Sequence, residues 1–564
     1  MTKRTKSLLN LALIIGIAVF LNILGSIFYS YFDLTEEGRF TLTKPTADLV
    51  ENLENPVYFE VLLEGDFPAG FKRLQRGTRE MLEDLRSYSG YIEYAFTDPN
   101  EGTVEEINAR RQRLADRGIT PVNLRVNTTE GVEQKLIYPY VIINYAGRSR
   151  TINLLEPESE LPPEVTLNNS ISLLEYKFAN ALQQLERVGK PIIAYLKGHG
   201  ELSELQTKDL TNALRGNFEV GYFGMDSTAA IPKQIDMLMV AKPTQPFSEK
   251  DKFKLDQYVM NGGKMLWMVD RMGINLDSMR GVPYFVPQDY PLNIEDLLYK
   301  YGFRVEPNLL ADRQCSKIPL VVGQQGGKPQ FDLFDWYYHP VVTPPAVDPH
   351  PIVKNLGGVN LYFPSTIDTI KTKTPLKKTV LLTSSRFSKT QYSPVRVSYD
   401  ILRYEPEANW FNKQNLPVAV MAEGIFPSNY ANRVSEEMAA TLTEIGTPFR
   451  AESKENKIVV ISDGDVAKNL ITADDSYQPL GFNQFNERTY ANKDFLVNTI
   501  EYMFDNGGII QARGKDVKLR LLDRAKIEQT RGLWQFINIV LPLIFLGLFA
   551  FVFNWLRRRK YARC

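Results

Sequence analysis

Two short stretches combine residue types that could do chemistry. Gly198-His199-Gly200-Glu201 follows an apolar run, PIIAYLK (191–197), and Asp463-Gly464-Asp465 follows another, KIVVIS (457–462). In sheets of parallel strands, ligands sit beyond the carboxyl ends of the strands, where both stretches fall. A His and a Glu placed there could exchange protons with a substrate or touch a partner. The plainer account is that two glycines supply the turn and Glu201 begins or caps the next helix. A D-x-D after a strand can hold Mg²⁺ in phosphotransferases when further carboxylates and a hydroxyl or Lys complete the site. Turn chemistry, which favours Gly and Asp, explains the same residues. His199, Glu201, Asp463 and Asp465 therefore stand as possible binding or partner contacts, and no catalytic residue is assigned.

Other chemistries lack their residues. No G-x-x-x-x-G-K-[ST] phosphate loop occurs: Gly262-Gly263-Lys264-Met265 and Gly326-Gly327-Lys328-Pro329 lack both the flanking pattern and the Mg²⁺-binding hydroxyl. Neither G-x-S-x-G nor H-E-x-x-H is present. His199, His339 and His350 are not at ligand spacing, so no metal is expected, and no cofactor either. His339-Pro-Val-Val and His350-Pro-Ile-Val read as coincident loop punctuation. Cys315 lies in Asp-Arg-Gln-Cys-Ser, away from any strand-to-helix elbow, which disfavours amidotransferase activity. Two cysteines build neither a disulfide framework nor a four-Cys zinc site.

The elements that must position these residues read as two α/β regions. The chain has 564 residues, 44% apolar and 23% charged, a folded-protein composition divisible into about three domains of ~150 residues. Residues 31–188 alternate as β-α-β-α-β-β-α: strands at 57–64 and 91–98, helices at 71–89, 103–117 and 171–187, and a hairpin of 135–144 with 148–155 turning at Ala146-Gly147. That order is thioredoxin-like. The segment where such folds carry Cys-x-x-Cys reads Gly65-Asp66-Phe67-Pro68-Ala69-Gly70, so this domain is expected to be redox-dead. Residues 189–508 read as a larger flavodoxin/amidotransferase-like three-layer α/β domain. Its strands fall at 191–197, 218–223, 235–241 and 264–270, with 457–465 and helix 493–505 as the last unit, and 271–456 as an insertion. Tyr and Phe there could line a glycan groove, although aromatics are usually core.

Both ends read as membrane segments. Residues 8–28 and 533–556 lack ionisable groups. The first, at 1.5 Å per residue, spans about 31 Å, enough for the hydrocarbon layer. Lys3, Arg4 and Lys6 precede it; Arg557, Arg558, Arg559, Lys560 and Arg563 follow the second. The positive-inside bias places both tails (1–30 with its helix, and 557–564) toward the cytoplasm, and the bulk of the chain in the periplasm. Without these eight basic side chains, a net charge of zero becomes −8 for the part between, which is poorly suited to nucleic acid. Residues 509–532 are expected to be a membrane-proximal stalk.

Several phrases occur in an ordered set: YFDLTEEGRFTLTKPT (31–46), YLKGHGE (195–201), HPIVKNLGGVNLYFPSTID (350–368), IVVISDGD (458–465) and the Trp534–Pro542 entry to the last helix. In this order, with an anchor at each end, the chain resembles the GldG-type gliding-motility proteins of the Bacteroidota, auxiliary or substrate-binding-like components of an ABC transporter. The resemblance implies an inner-membrane protein with a periplasmic body, working with an ABC permease and a cytoplasmic ATPase in gliding. It also implies that the second α/β region is similar to a domain of an intraflagellar-transport protein. It brings no catalytic residues. The alternatives are a periplasmic enzyme acting on an envelope polymer and a membrane-tethered glycan-binding module.

Overall fold

The computed structural model describes residues 13–20, 22, 41–128, 131–156, 163–187, 189–228, 230–402, 406–444, 448–505, 507–514 and 524–561. They form two units, 1–515 and 516–564. Of the first expected membrane segment, residues 13–20 are helical and exposed; most of the rest lies outside the described residues.

The N-terminal region runs α1 (Lys44–Glu51), β1 (Val57–Val61), α2 (Ala69–Tyr88), β2 (Ile92–Phe96) and α3 (Val104–Asp116). It continues with β3 (Val122–Thr128), β4 (Gly131–Ile137), β5 (Tyr140–Tyr145), β6 (Arg148–Asn153), α4 (Pro163–Ser172) and α5 (Leu174–Glu186). The four-stranded sheet has the order β2-β1-β5-β6, with β1 parallel to β2 and antiparallel to β5. Ala146 and Gly147 make the β5–β6 turn with φ of 46° and 75°, as two-residue hairpin turns require. Tyr138-Pro139 breaks the expected strand 135–144, and its first part pairs with β3 in a separate hairpin. Proline cannot donate to a ladder, which explains the break.

The second region begins with β7 (Ile192–Lys197), α6 (Lys208–Leu214), β8 (Glu219–Gly224), β9 (Ile235–Ala241), α7 (Glu249–Met260) and β10 (Lys264–Met268). After α8 (Glu295–Lys300) comes a long hairpin, β11 (Cys315–Gln325) with β12 (Lys328–Val342). Strands β13 (Lys377–Thr383), β14 (Pro417–Pro427) and β15 (Glu452–Ile461) and helix α9 (Asn492–Phe504) complete it. The sheet order is β13-β14-β15-β10-β9-β7-β8. Five strands, β15 to β8, are mutually parallel; β13 and β14 add antiparallel at one edge. Part of the expected insertion 271–456 thus belongs to the main sheet.

Alternation along these strands explains the layering, because successive side chains point to opposite faces. Ile193, Tyr195, Met237, Met239, Leu266, Met268, Val459 and Ile461 face α5, α6 and α9. Ala194, Leu196, Leu238, Val240, Met265, Trp267, Ile458 and Val460 face α7 and α8. Helix α5 belongs to two cores at once. Phe178, Ala181 and Leu182 pack on the N-terminal sheet, while Tyr176 and Ala179 join the core of the second.

Residues 509–514, expected at the start of a stalk, instead form a short 3₁₀ turn, with Ile509, Ile510 and Ala512 in the main core. Asp505 holds this turn by accepting from the N–H groups of Gly507, Gly508 and Ile510. The turn packs against both α5 and α1, so residues 44–51 and 509–514 lie together.

In the second unit, α10 (Arg524–Gln535) passes through a π-helical turn, Phe536–Val540, into α11 (Leu541–Tyr561). The π-turn ends two residues before Pro542, whose ring crowds the preceding turn of an α-helix. Within this unit Thr530–Arg559 is long and apolar enough to cross a membrane.

Candidate functional site

The parallel strands end level with one another. Ala241 pairs with Met268, and Met268 with Ile461. Residues just beyond them are therefore brought close together: Lys242, the first after β9, Asp270, the second after β10, and Asp463, the second after β15. On the next strand, His199 follows β7.

His199 is buried and fully engaged. Its ring stacks on Phe247, with centroids 3.8 Å apart and planes 12° apart. Nδ1 lies 3.3 Å from Glu201 Oε1, and Nε2 lies 3.6 Å from Asp251 Oδ2. The His199 backbone N–H donates to Glu201 Oε2 at 2.8 Å, and its carbonyl accepts from the N–H groups of Thr244 and Gln245. Gly200 has φ +76°, and a Cβ there would stand 2.2 Å from Thr244 Oγ1, so this turn needs glycine. Burial of the ring opposes its charge, but Glu201 and Asp251 outweigh burial and hold His199 above the ordinary imidazole value. The GHGE stretch is thus an electrostatic clasp between the β7 turn and the start of α7.

Asp463 and Asp465 belong to a second cluster. Asp463 accepts from the Tyr362 N–H at 2.7 Å and from the Asp465 N–H at 2.7 Å; Asp270 accepts from the Gly464 N–H at 2.6 Å. The Lys242 ammonium sits between Asp270, at 3.0 Å, and Asp465, with which it makes a short ion pair. Lys468 lies 3.4 Å from the other Asp465 oxygen. A Cβ on Gly464 would meet Lys242 Cβ at 2.6 Å and Cα at 2.7 Å, so only glycine allows this approach. Burial pushes the Asp463 carboxyl well up, and the neighbouring Asp270 and Asp465 add to this. Asp465 is also buried, but Lys242 and Lys468 hold it below the usual carboxylate range. Where a D-x-D metal site needs a divalent cation, this cluster holds a lysine ammonium. Among the described residues, no hydrogen bond or ion pair joins His199 or Glu201 to Asp463 or Asp465.

A cavity of about 410 Å³ opens beside Asp465 and Lys468. His339, on β12, forms part of its wall. The ring is 1% exposed, and neither ring nitrogen has a hydrogen-bond partner. Burial lowers its pKa to about 3, with Asp465 only partly offsetting this, so the imidazole is neutral. Its neighbours are Tyr362 and Phe363, edge-on with ring centroids 4.7 and 4.9 Å away. His350, by contrast, packs edge-on against Tyr502 away from this cavity, and burial lowers it to about 4.

Lys242, Asp270 and His339 were not singled out from the sequence. A charged residue closing an apolar strand was legible at Val-Ala-Lys242 and Met-Val-Asp270, as it was at Ser-Asp463. His339 gave no such signal: it lies inside a 15-residue strand rather than in the expected loop. Cys315 opens β11; burial pushes its thiol up, the opposite of an activated nucleophile.

Fold and site together define a mixed α/β body with mutually paired ionic groups along one sheet edge, beside a cavity of small-molecule size. Comparison with known proteins goes one step further. A family model described as "ABC-type uncharacterized transport system" matches residues 190–499, more than half of the chain, and the chain belongs to this family of ABC-transporter auxiliary proteins. A second model, for a domain of unknown function, matches residues 36–144. A relative in Borreliella burgdorferi, described as "Uncharacterized protein", is 23% identical over 460 residues, covering 78% of this chain and 82% of its own. A solved chain described as "mmIFT52 N-terminal domain" overlaps 56% of this chain and 97% of itself, at 13% identity and a TM-score of 0.32. Membership suggests a non-enzymatic accessory role in association with transporter components. With the apolar C-terminal helix, it suggests membrane association.

Proposed function

We propose that this chain is a non-catalytic subunit of an ABC-type transport complex of the GldG gliding-motility kind, anchored at both ends in the inner membrane. Its body stands in the periplasm and works with a permease and a separate cytoplasmic ATPase. The observation that carries this reading is the family match over 190–499, which makes the chain a transport-system component. The contact of α1 with the 509–514 turn is compatible with two anchors, because it brings residues 44–51 and 509–514 together. The order β2-β1-β5-β6 supports a thioredoxin-like first domain, and the parallel order β8-β7-β9-β10-β15 supports a flavodoxin-like second one. The expected domains, 31–188 and 189–508, rest on the same grounds. Of the four candidate residues, His199, Glu201 and Asp463 serve to shape the sheet edge, and Asp465 offers contact at the cavity.

The test is purification of the tagged full-length chain from native membranes in mild detergent, with mass spectrometry of what accompanies it. A multi-span permease and an ATPase are expected. Recovery of neither, in several detergents, overturns the subunit reading.

A further inference from the structure

A second cavity, of about 490 Å³, opens at the other edge of the main sheet, where the parallel strands begin. Gly262-Gly263-Lys264, the stretch that lacks the pattern of a phosphate loop, forms part of its wall. Gly263 is required there, because a Cβ would stand 2.2 Å from the Tyr258 ring. This close passage brings in Lys264, the first residue of β10. Four cations, Lys233, Lys254, Lys264 and Arg450, line the cavity against one carboxylate, Asp236. Lys254 is engaged: its ammonium donates to the Met225 carbonyl at 2.7 Å and lies 3.8 Å from Asp251. Asp236 accepts from the Ile192 N–H at 2.8 Å. Among the described residues, Lys233, Lys264 and the Arg450 guanidinium have neither an ion pair nor a hydrogen-bond partner. Lys264 and Arg450 are half-buried and Lys233 is exposed, and none of their charged nitrogens is sealed from solvent. A molecule in the cavity can therefore touch them. Burial holds Lys264 below the usual lysine range, and Asp236 only partly offsets this. Such an ammonium lacks a counter-charge. Arg450 is held in place through its backbone: its N–H donates to Gln257 Oε1 at 2.8 Å, and its carbonyl accepts from Gln257 Nε2 at 3.1 Å. Half-buried Phe253 and Leu442 add apolar wall.

We propose that this cavity binds a small organic anion, a carboxylate or phosphate group on a compact apolar body, with the anionic group on the Lys264 ammonium and the body against Phe253 and Leu442. The ligand supplies the counter-charge that the chain does not, and Lys233 and Arg450 add a positive field that draws anions in. The volume falls within the range of small-molecule sites, roughly 300–1,000 Å³. The site stands independently of the transport reading, since it needs no permease.

The experiment uses the full-length protein in a non-ionic detergent, titrated calorimetrically with benzoate, phenyl phosphate and inorganic phosphate. Benzyl alcohol and benzylamine are the neutral and cationic controls, and titrations into detergent alone are subtracted. Saturable binding of benzoate or phenyl phosphate is expected, about tenfold or more tighter than that of either control. The tighter of the two identifies the anionic group. Lys264→Met, which strips no partner of its cation, is expected to fold and to weaken binding by about tenfold or more. Arg450→Gln keeps the backbone bonds to Gln257 and is expected to weaken binding about threefold, so it carries the test if Lys264→Met does not fold. No saturable binding of either organic anion overturns the proposal. So does equally tight binding of benzyl alcohol or benzylamine, inorganic phosphate binding as tightly as phenyl phosphate, or binding unchanged in the variants that fold. Co-purification of a permease is read separately, so either idea can fail alone.

Discussion

The neutral, unpaired His339 makes a prediction about acid. Its folded pKa is about 3, against about 6.5 in an unfolded chain. The folded value is depressed, so below about 6.5 the unfolded chain takes up a proton that the folded protein refuses. Stability contributed by this residue is therefore lost as the pH falls, by about 1.4 kcal/mol per unit between those two values. At about pH 5 the loss is about 2 kcal/mol, a large share of a typical 5–15 kcal/mol. His339→Leu removes the titration and keeps a buried apolar side chain beside Trp336 and Phe363. Near pH 7.5 the variant should lie within about 1 kcal/mol of the parent, having lost only unpaired polar atoms. Near pH 5 it should gain about 2 kcal/mol on the parent. The assay is urea unfolding of both full-length proteins at the two pH values, read by tryptophan fluorescence. Taking the difference between the proteins cancels the contributions of His350 and of the buried carboxylates. A parent–variant difference that is the same at both pH values refutes the reasoning.

Lys242→Met should cost about 3–5 kcal/mol in the same urea assay, because it leaves Asp270 and Asp465 buried without their shared cation; Lys242→Arg, which keeps the charge, should cost less. His199 has the opposite sign to His339. Its folded pKa is raised, so its stabilisation is complete below about pH 6.5 and is lost as the pH rises through the folded value. His199→Gln should flatten that limb of the stability–pH curve, and an unchanged limb would count against the Glu201–Asp251 clasp. Glu501 on α9 accepts from Tyr176 Oη and from Asn217 Nδ2, both at 2.7 Å. Glu501→Ala should cost about 1–3 kcal/mol per donor left buried, and speed limited proteolysis near α5.

The main sheet was legible wherever an apolar run met a helix of clear period. The strands after Pro191, Gln234 and Gly263 are found within one or two residues of their expected bounds. The SDGD loop was legible for the same reason: it ends such a strand. What stayed hidden was non-local. Strands β13 and β14 join the sheet across more than 100 residues from β10, and nothing in their own composition announces that edge. Lys242 adopts φ 55° to fold its side chain back over Gly464, 222 positions away, and no spacing rule reaches that far. His339 shows the limit most clearly. Followed by Pro340, it looks like a turn, yet the residues that give it meaning, Tyr362 and Asp465, arrive from other parts of the chain.

Helix α5 bears on how such a body could act within a transport complex. Ordinary two-lobed binding proteins close about a hinge, which requires lobes whose cores are separate and whose interface is small. Here Phe178 and Leu182 are fully buried in one core, and Ala179, on an adjoining face of the same helix, in the other. Opening the two regions would expose one face of a helix that both require. Tyr176 and Arg187 reinforce the joint through Glu501 and the Phe504 carbonyl. The cavity beside Asp465 lies wholly in the second region, away from this joint. A ligand there cannot be trapped by closure of the two regions upon it. Of the Asp465–Lys242–Asp270 network only Asp465 lines the cavity, and its pairing with Lys242 ties that wall to the ends of β9 and β10.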